Sequence, residues 1–317
     1  MPTFLIKRLL VSIPTFAAIL ALVFVLLNAA PGDPVDAFTP PDQSLSVEQK
    51  EQLRHEMGLD RPLPVRFGLW LAQLAQGELG HRYKDGASVY DTIVSRIGPT
   101  LMLSATGLGL GASLGVGLGL LAARKPYGWI DQLLSLLAYL GMSSPAFLLG
   151  ILGMYLFALQ LGWFPTGGYA TPGGGDWLDV LHHLFLPAGV LSIQFIAILM
   201  RYTRASVLEV QNQDFMRTAH AKGLSRTQAL LSHAFPNALV PIVTVIGANF
   251  GALIGGAVFL EVVFSWPGMG TLFVDGIESR DYPLIMGITL FMALAILLVN
   301  LLTDLIYAWI DPRISLR

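Results

Sequence analysis

The chain has 317 residues, of which 54% are hydrophobic and 13% charged, with net charge −2 and mean hydropathy +0.63. A soluble domain carries about 25% charged residues, so this is the composition of a membrane protein, without the basic excess that nucleic-acid binding demands. Cysteine is absent, which excludes disulfides, thiol nucleophiles and thiolate metal sites.

Leu9–Leu27 is an uncharged run long enough to cross roughly 30 Å of hydrocarbon. Lys7 and Arg8 precede it. The segment after it, Asn28-Ala-Ala-Pro31, places proline where a signal peptidase would cut. The run therefore reads as a retained first span, with residues 1–28 as the first segment of the chain. Pro31-Gly32-Asp33-Pro34 is a rigid turn that opens a polar stretch over 29–98. That stretch has a helix start at Ser46-Val-Glu-Gln49 and a turn at Gly58-Leu-Asp-Arg-Pro62, and it predicts a small extramembrane subdomain with some helix.

A core of five further spans is expected over 99–310. The second span is Thr100–Ala123. Ile130–Leu161 is longer than one span needs, and Ser143-Ser144-Pro145 kinks or divides it. A glycine-rich connection leads to the fourth span, Leu184–Met200. After a polar loop, 201–237, come the fifth span from about Ala238 to Leu260 and a turn-rich re-entry, Glu261-Val-Val-Phe-Ser-Trp-Pro-Gly-Met-Gly270. The sixth span runs from about Pro283 to Ile310, followed by a tail, 311–317.

Charge orients these spans. Lys7, Arg8, Arg124, Lys125, Arg201, Arg204, Arg217, Lys222, Arg226, Arg313 and Arg317 fall on one set of loops, and Arg280 alone on the opposite short loops. The positive-inside rule then places both termini and the 201–237 loop in the cytoplasm.

That loop holds an elbow. Asp214 is suited to cap a short helix starting at Phe215, and Gly223 to end it in the left-handed conformation. Ser225 and Gln228 have capping-box spacing for a helix that restarts at once. With small residues Ala219 and Ala221 beside the bend, the elbow can serve as a peg for another protein.

The elbow resembles the cytoplasmic loop of ABC-importer permeases, whose pattern is E-A-A, three residues, G, nine residues, I-x-L-P. Aligned on Gly223, Ala219 and Pro236 match, while Arg217 stands for the glutamate and His233 and Phe235 depart. The form R-T-A-x-A-K-G-L resembles the dipeptide/oligopeptide/nickel/glutathione branch, in the dipeptide permease B type. Pro31-Gly-Asp-Pro34, Gly58–Leu63, Gly77-Glu-Leu-Gly80, Glu261–Gly270 and Asp311-Pro-Arg313 resemble it too, in matching order. The resemblance implies an all-α, type I importer permease of about six transmembrane helices in the cytoplasmic membrane. It also implies a second homologous permease subunit, ATPase subunits and an extracytoplasmic substrate-binding protein as partners. Transport would be by alternating access, driven through Asp214, Phe215, Arg217, Thr218, Ala219, His220, Ala221, Lys222, Gly223 and Leu224. Arg217 and Lys222 can pair with acidic groups on the ATPase. The chain has no G-x-x-x-x-G-K-[ST] pattern, so ATP and magnesium are expected on the partners and no cofactor or metal on this chain. Peptides are the expected substrates, with glutathione or nickel and other metal chelates as the alternative.

Other constellations carry competing readings. Gly107, Gly111, Gly115 and Gly119, and again Gly247, Gly251 and Gly255, form small-residue stripes for close helix approach, either within the chain or between subunits. Gly111-Ala-Ser-Leu-Gly115 also spells the G-x-S-x-G of serine hydrolases, but no histidine lies within a span to activate the serine. That serine reads as one more small packing residue. Asn249, Gly251 and Gln194 are candidates for the translocation path, with interior hydrogen bonding as the competing role. Asn300 and Asp304 share a face. Glu261 and Trp266 are expected at the outer mouth, as gate or as contact for the binding protein. His182-His183 reads as an interfacial polar pair. A scaffold or channel without ATP coupling is the remaining alternative.

Overall fold

The computed structural model describes residues 2–37 and 46–310, without the side chains of 2–9, 36–37, 250–256, 304 and 306–310. The expected Asp311-Pro-Arg313 ending, the side chain of Asp304 and the surroundings of Gly251 and Gly255 lie outside that description. The described chain is helical throughout, with one isolated β-bridge between His81 and Ser88. Among the described residues, five helices are long and apolar enough to cross a membrane, or six if a bent pair counts as one span. The chain is thus a multi-pass membrane protein. It divides into two compact units, Met1–Gly98 with Gly268–Leu298, and Pro99–Pro267 with Val299–Arg317.

The first unit begins with α1 (Pro2–Ala29), whose sides carry exposed Leu22, Val25 and Leu26, as a lipid-facing helix does. Then come α2 (Pro34–Ala37), α3 (Val47–Glu56) and α4 (Leu63–Ala75). The expected helix start at Ser46 is present as a full capping box with Gln49, and the Gly58 turn uses φ +64°. The helical stretch after α1 packs with a helix that the sequence did not announce, α12 (Met269–Glu278), which begins at the end of the turn-rich 261–270 run. Leu79, Val89, Ile93, Met269, Leu272, Leu284 and Ile288 form their shared core. Polar pairing closes it. Arg82 donates to Asp275 at 2.9 Å, Lys84 reaches Asp275 at 2.8 Å, and buried Asp281 accepts the Tyr83 backbone N–H at 3.2 Å.

The second unit is built on α8 (Trp177–Gln211), the most buried of the long helices. Around it lie α5 (Val89–Arg124), α6 (Trp129–Ser143), α7 (Ala146–Gly153, continued by a π-helical stretch Met154–Gln160) and α11 (Phe235–Val263). The end of α13 (Tyr282–Ile310) also belongs here. The Ser143-Ser144-Pro145 break is real, and α6 and the segment beyond it meet at 105°. Proline at 145 disfavours helical backbone at the residue before it, and Ser144 is extended at φ −89°, ψ 129°.

The first glycine stripe packs internally. Cβ atoms placed at Gly107, Gly115 and Gly119 would lie 2.9, 2.8 and 2.6 Å from the side chains of Leu191, Leu199 and Thr203, and one at Gly111 would run into Phe195. Every fourth residue of α5 therefore gives way to every fourth residue of α8. In the second stripe, Gly247 meets Thr303 of α13 in the same way. Ser113 is not part of the stripe, contrary to its reading as a packing residue. It is exposed, and its hydroxyl donates back to the Gly109 carbonyl at 2.7 Å in the middle of a continuous helix. The strand-to-helix elbow that presents a hydrolase nucleophile is missing at that point.

Candidate coupling elbow and transport residues

The elbow is closed at its C-terminal end by backbone geometry. Helix α9 (Asp214–Ala221) is followed by Lys222 and then by Gly223 at φ +86°. The Leu224 N–H donates to the Ala219 carbonyl at 3.3 Å and the Gly223 N–H to the His220 carbonyl at 3.0 Å. These are the two bonds of a Schellman motif, which needs a left-handed residue at this position and so favours glycine. The next helix, α10 (Arg226–Ala229), starts with the expected reciprocal capping box between Ser225 and Gln228. It runs through a π-helical stretch, Leu230–Ala234, into α11.

The N-terminal end differs from expectation. The cap position is held by Gln213, whose backbone is extended at φ −81°, ψ 153°, with no side-chain cap. Asp214 is already helical and cannot cap. Its carboxylate instead adds negative charge to the first turn, favourable to the helix dipole, and lies 3.5 Å from Arg217 with both groups almost fully exposed.

The elbow has two faces. Met216 and Ala219 are buried in the core that contains Ala229, Leu230 and Ala234, with Leu224 packed against it. Ala219 is therefore an inward anchor, and of the two small residues Ala221 is the one on the open face. Phe215, Arg217, Thr218, His220, Ala221, Lys222 and Gly223 are exposed. The result is a short helix held by one apolar edge, presenting one aromatic ring and a predominantly basic surface.

Glu261 and Trp266 are both fully buried, so the expected contact of their side chains with another protein does not fit this arrangement. They form a clasp at the end of α11. Glu261 accepts from the Thr100 hydroxyl at 2.6 Å, and the Trp266 indole donates to the Pro99 carbonyl at 2.9 Å. The Trp266 backbone N–H returns to the Glu261 carbonyl at 2.7 Å through Ser265, a left-handed residue at φ +49°. The glycine-rich connection joins the clasp. Gly168 donates to the Phe264 carbonyl at 2.8 Å, a Cβ at Gly167 would meet the same backbone, and the Tyr169 ring lies 5.1 Å from Trp266.

The three path candidates do not come together by side-chain contact. Gln194 donates to the Ser144 carbonyl at 2.8 Å, in the break between α6 and α7. Asn249 is half-buried and donates to its own helix at Val245, 2.8 Å away, while Gly251 lies two residues further along α11. His182 bonds the Trp163 carbonyl at 2.8 Å and His183 the Asp179 carbonyl at 2.9 Å. Among the described residues no cluster of histidine, cysteine and carboxylate side chains could hold a metal ion.

One ion pair, between buried Asp131 and half-buried Arg204, escaped the sequence reading. Arg204 grips Asp131 with two bonds, 2.5 and 2.7 Å, and Asp131 also accepts the backbone N–H of left-handed Tyr127 at 2.7 Å. Arg204 entered the sequence argument as loop charge alone. An aspartate opening a span among basic residues was the available signal.

Two family comparisons cover almost the whole chain. Residues 115–316 match the family described as "Binding-protein-dependent transport system inner membrane component", and residues 1–104 match its N-terminal companion. A protein of Brucella suis biovar 1, provisionally named as a peptide permease, is 47% identical over 312 residues, 98% of each chain. The glutathione transport system permease protein GsiC of Pectobacterium atrosepticum is 40% identical over 317 residues, the full length of both. In structure, the chain resembles the MetNI methionine ABC transporter in an inward-facing form, with TM-score 0.57 and 15% identity over 69% of this chain and 96% of that one. This likeness shows the type I importer permease fold. The chain therefore belongs to the family of inner membrane permease components of binding-protein-dependent ABC importers.

Proposed function

We propose that this chain is a translocating subunit of an ATP-driven peptide importer, working by alternating access and coupled to separate ATPase subunits through the elbow at 214–224. The observation that carries the reading is the two-faced elbow. Its apolar edge is locked into the permease core by Met216 and Ala219, and its open face presents Phe215, Arg217, His220, Ala221 and Lys222. A push on that face reaches α11 through the capped restart at Ser225 and a continuous run of helix. Arg217 and Lys222 would pair with carboxylates on the ATPase, which would hold the ATP and magnesium. A second homologous permease would complete the membrane pathway, and an extracytoplasmic binding protein would deliver substrate. The basic elbow would then face the cytoplasm, as would both termini. Asn249, Gly251 and Gln194 remain the path candidates. Glu261 and Trp266 are read as supports that hold a gate from within.

Peptides are the first choice of substrate, and the 40% identity to a glutathione permease keeps that tripeptide beside them. The test is reconstitution of the co-purified assembly in proteoliposomes, with uptake of a labelled dipeptide and of glutathione driven by ATP. Uptake abolished by Arg217→Glu with Lys222→Glu, while the assembly's permease subunits still co-purify, supports coupling at this face. Undiminished uptake by that double variant counts against it, and ATP-independent flux would favour a channel.

A further inference from the structure

The elbow is joined to α11 by an irregular turn. Between α10 and α11, Leu230–Ala234 is π-helical, and the Phe235 N–H donates to the Leu230 carbonyl, five residues back instead of four. A wider turn of this kind accommodates one more residue than an α-helical turn does. It sits inside a continuous run of helix, between the capped restart at Ser225 and the long helix that follows. The other π-helical stretch among the described residues, Met154–Gln160, is placed differently, because its helix ends there, just before left-handed Gly162.

The sequence supplies the cause. Pro236 has no N–H, and in a regular helix its ring collides with the carbonyl four residues back, here that of Ser232. The wider turn relieves that collision. Side chains take up carbonyls around it. The Ser232 hydroxyl donates to the Gln228 carbonyl at 2.5 Å, and the Asn237 amide donates to the His233 carbonyl at 2.7 Å. Pro236 is itself exposed, so its ring fills no space in the core. What it contributes is a backbone constraint.

The turn is also gripped from the side of the elbow. Leu230 and Ala234 are buried in the same core as Met216 and Ala219 of α9, and Ala238 and Ile242 continue that core along α11. Along an α-helix one residue is about 100° of rotation and about 1.5 Å of rise. One residue more or fewer in this turn therefore rotates the elbow relative to α11 by about that angle. Such a rotation takes the open face, with Phe215, Arg217, His220 and Lys222, out of the direction in which it now points.

We propose that Pro236 is a positioning residue for coupling: it holds one extra residue in the turn 230–234, and that residue sets the direction in which the elbow presents its open face. This role rests on the coupling reading above and adds to it the element that aims the elbow.

The test uses the assembled importer in proteoliposomes and reads uptake of a labelled dipeptide per ATP hydrolysed, a ratio that a loss of stability alone does not change. Pro236→Ala restores an N–H facing the Ser232 carbonyl and lets the regular ladder close. The ratio should then fall at least tenfold while the subunits still co-purify and hydrolyse ATP. Deleting Ser232, an exposed residue of the turn, in the Pro236→Ala background takes out the extra residue, so that a regular helix returns the elbow to its wild-type direction. This double change should recover most of the wild-type ratio. A proline that merely stiffened the chain would give the opposite, a further loss. Wild-type coupling by Pro236→Ala, or no recovery on deletion of Ser232, would overturn the proposal. If Pro236→Ala fails to assemble, the variant that also lacks Ser232 decides alone, since it should assemble and transport. The charge reversal Arg217→Glu with Lys222→Glu runs alongside. If it leaves uptake intact, the coupling reading itself has failed, and the positioning role with it. If it abolishes uptake while Pro236→Ala does not, only the positioning role has failed.

Discussion

Gln194 donates its side-chain amide to the carbonyl oxygen of Ser144 at 2.8 Å, across the break that Pro145 imposes on the third span. A helix interrupted inside a membrane must find partners for its backbone polar groups, because lipid supplies none. Gln194→Leu removes the donor and leaves the acceptor stranded. The expected cost is about 1–3 kcal/mol, read as a lowered melting temperature in detergent. An unchanged melting temperature would free Gln194 for its other candidate role on the translocation path.

The elbow depends on one backbone conformation. A Cβ at Gly223 meets no atom within 4 Å, so substitution there is a matter of backbone strain alone. The left-handed region costs a residue with a side chain roughly 1–2 kcal/mol, more when branched. Gly223→Val should therefore abolish ATP-driven uptake while the chain still inserts and purifies. Gly223→Asn, which tolerates the left-handed region better, should retain part of it. Equal uptake by both variants and wild type would show that the bend is not used in coupling.

The glycine stripe separates two faces of α5. Gly115→Val drives a side chain into Leu199 and the Ile196 backbone, and overpacking of this kind costs about 1–3 kcal/mol. Gly117→Ala and Gly109→Ala open onto space and should leave the melting temperature unchanged or slightly raised, since alanine favours helix. Equal losses at 115 and 117 would mean that the α5–α8 packing is not as close as described.

Tyr83 gives a test at high pH. Its phenol ionises at about 12 in the folded protein, raised chiefly by burial, against a model-compound value of 10.0. The unfolded chain thus releases the proton first. The stability tied to this group is intact below pH 10 and is lost as pH rises from 10 to 12, on the order of 2 kcal/mol. Tyr83→Phe should lose less stability than wild type across that window, measured by fluorescence-detected melting. Parallel curves would place the phenol in water.

Much of this architecture was legible because lipid leaves few options. Uncharged runs, the Ser-Ser-Pro break, the Gly223 bend and the Ser225–Gln228 box each have a local physical cause, and each appears in place. The misses share another origin. Asp214 has the right chemistry for a cap, but the helix starts one residue earlier, and one residue decides whether a side chain can turn back on its own backbone. Helix α12 follows a tryptophan-proline-glycine run that reads as turn, and its burial comes from partners far away in sequence. Glu261 and Trp266 read as a gate or as a contact for another protein, and it is the contact that their burial does not fit. Their buried bonds to Thr100 and Pro99, 161 and 167 positions away, leave no trace in a single sequence. Asp131–Arg204 is hidden for the same reason, at a separation of 73.

The meshing of α5 with α8 works like a rack. Four notches without side chains receive Leu191, Phe195, Leu199 and Thr203 at a repeat of four residues, about 6 Å of helix rise. Between one seating and the next, each side chain would have to climb over the backbone that separates two notches. Sliding by a fraction of the repeat is therefore closed to this pair, and sliding by a whole repeat would leave a terminal notch empty. Whatever displacement the transport cycle demands of this half of the molecule, α5 and α8 should carry it together as one rigid lever, with the bending left to the proline break and the glycine bend.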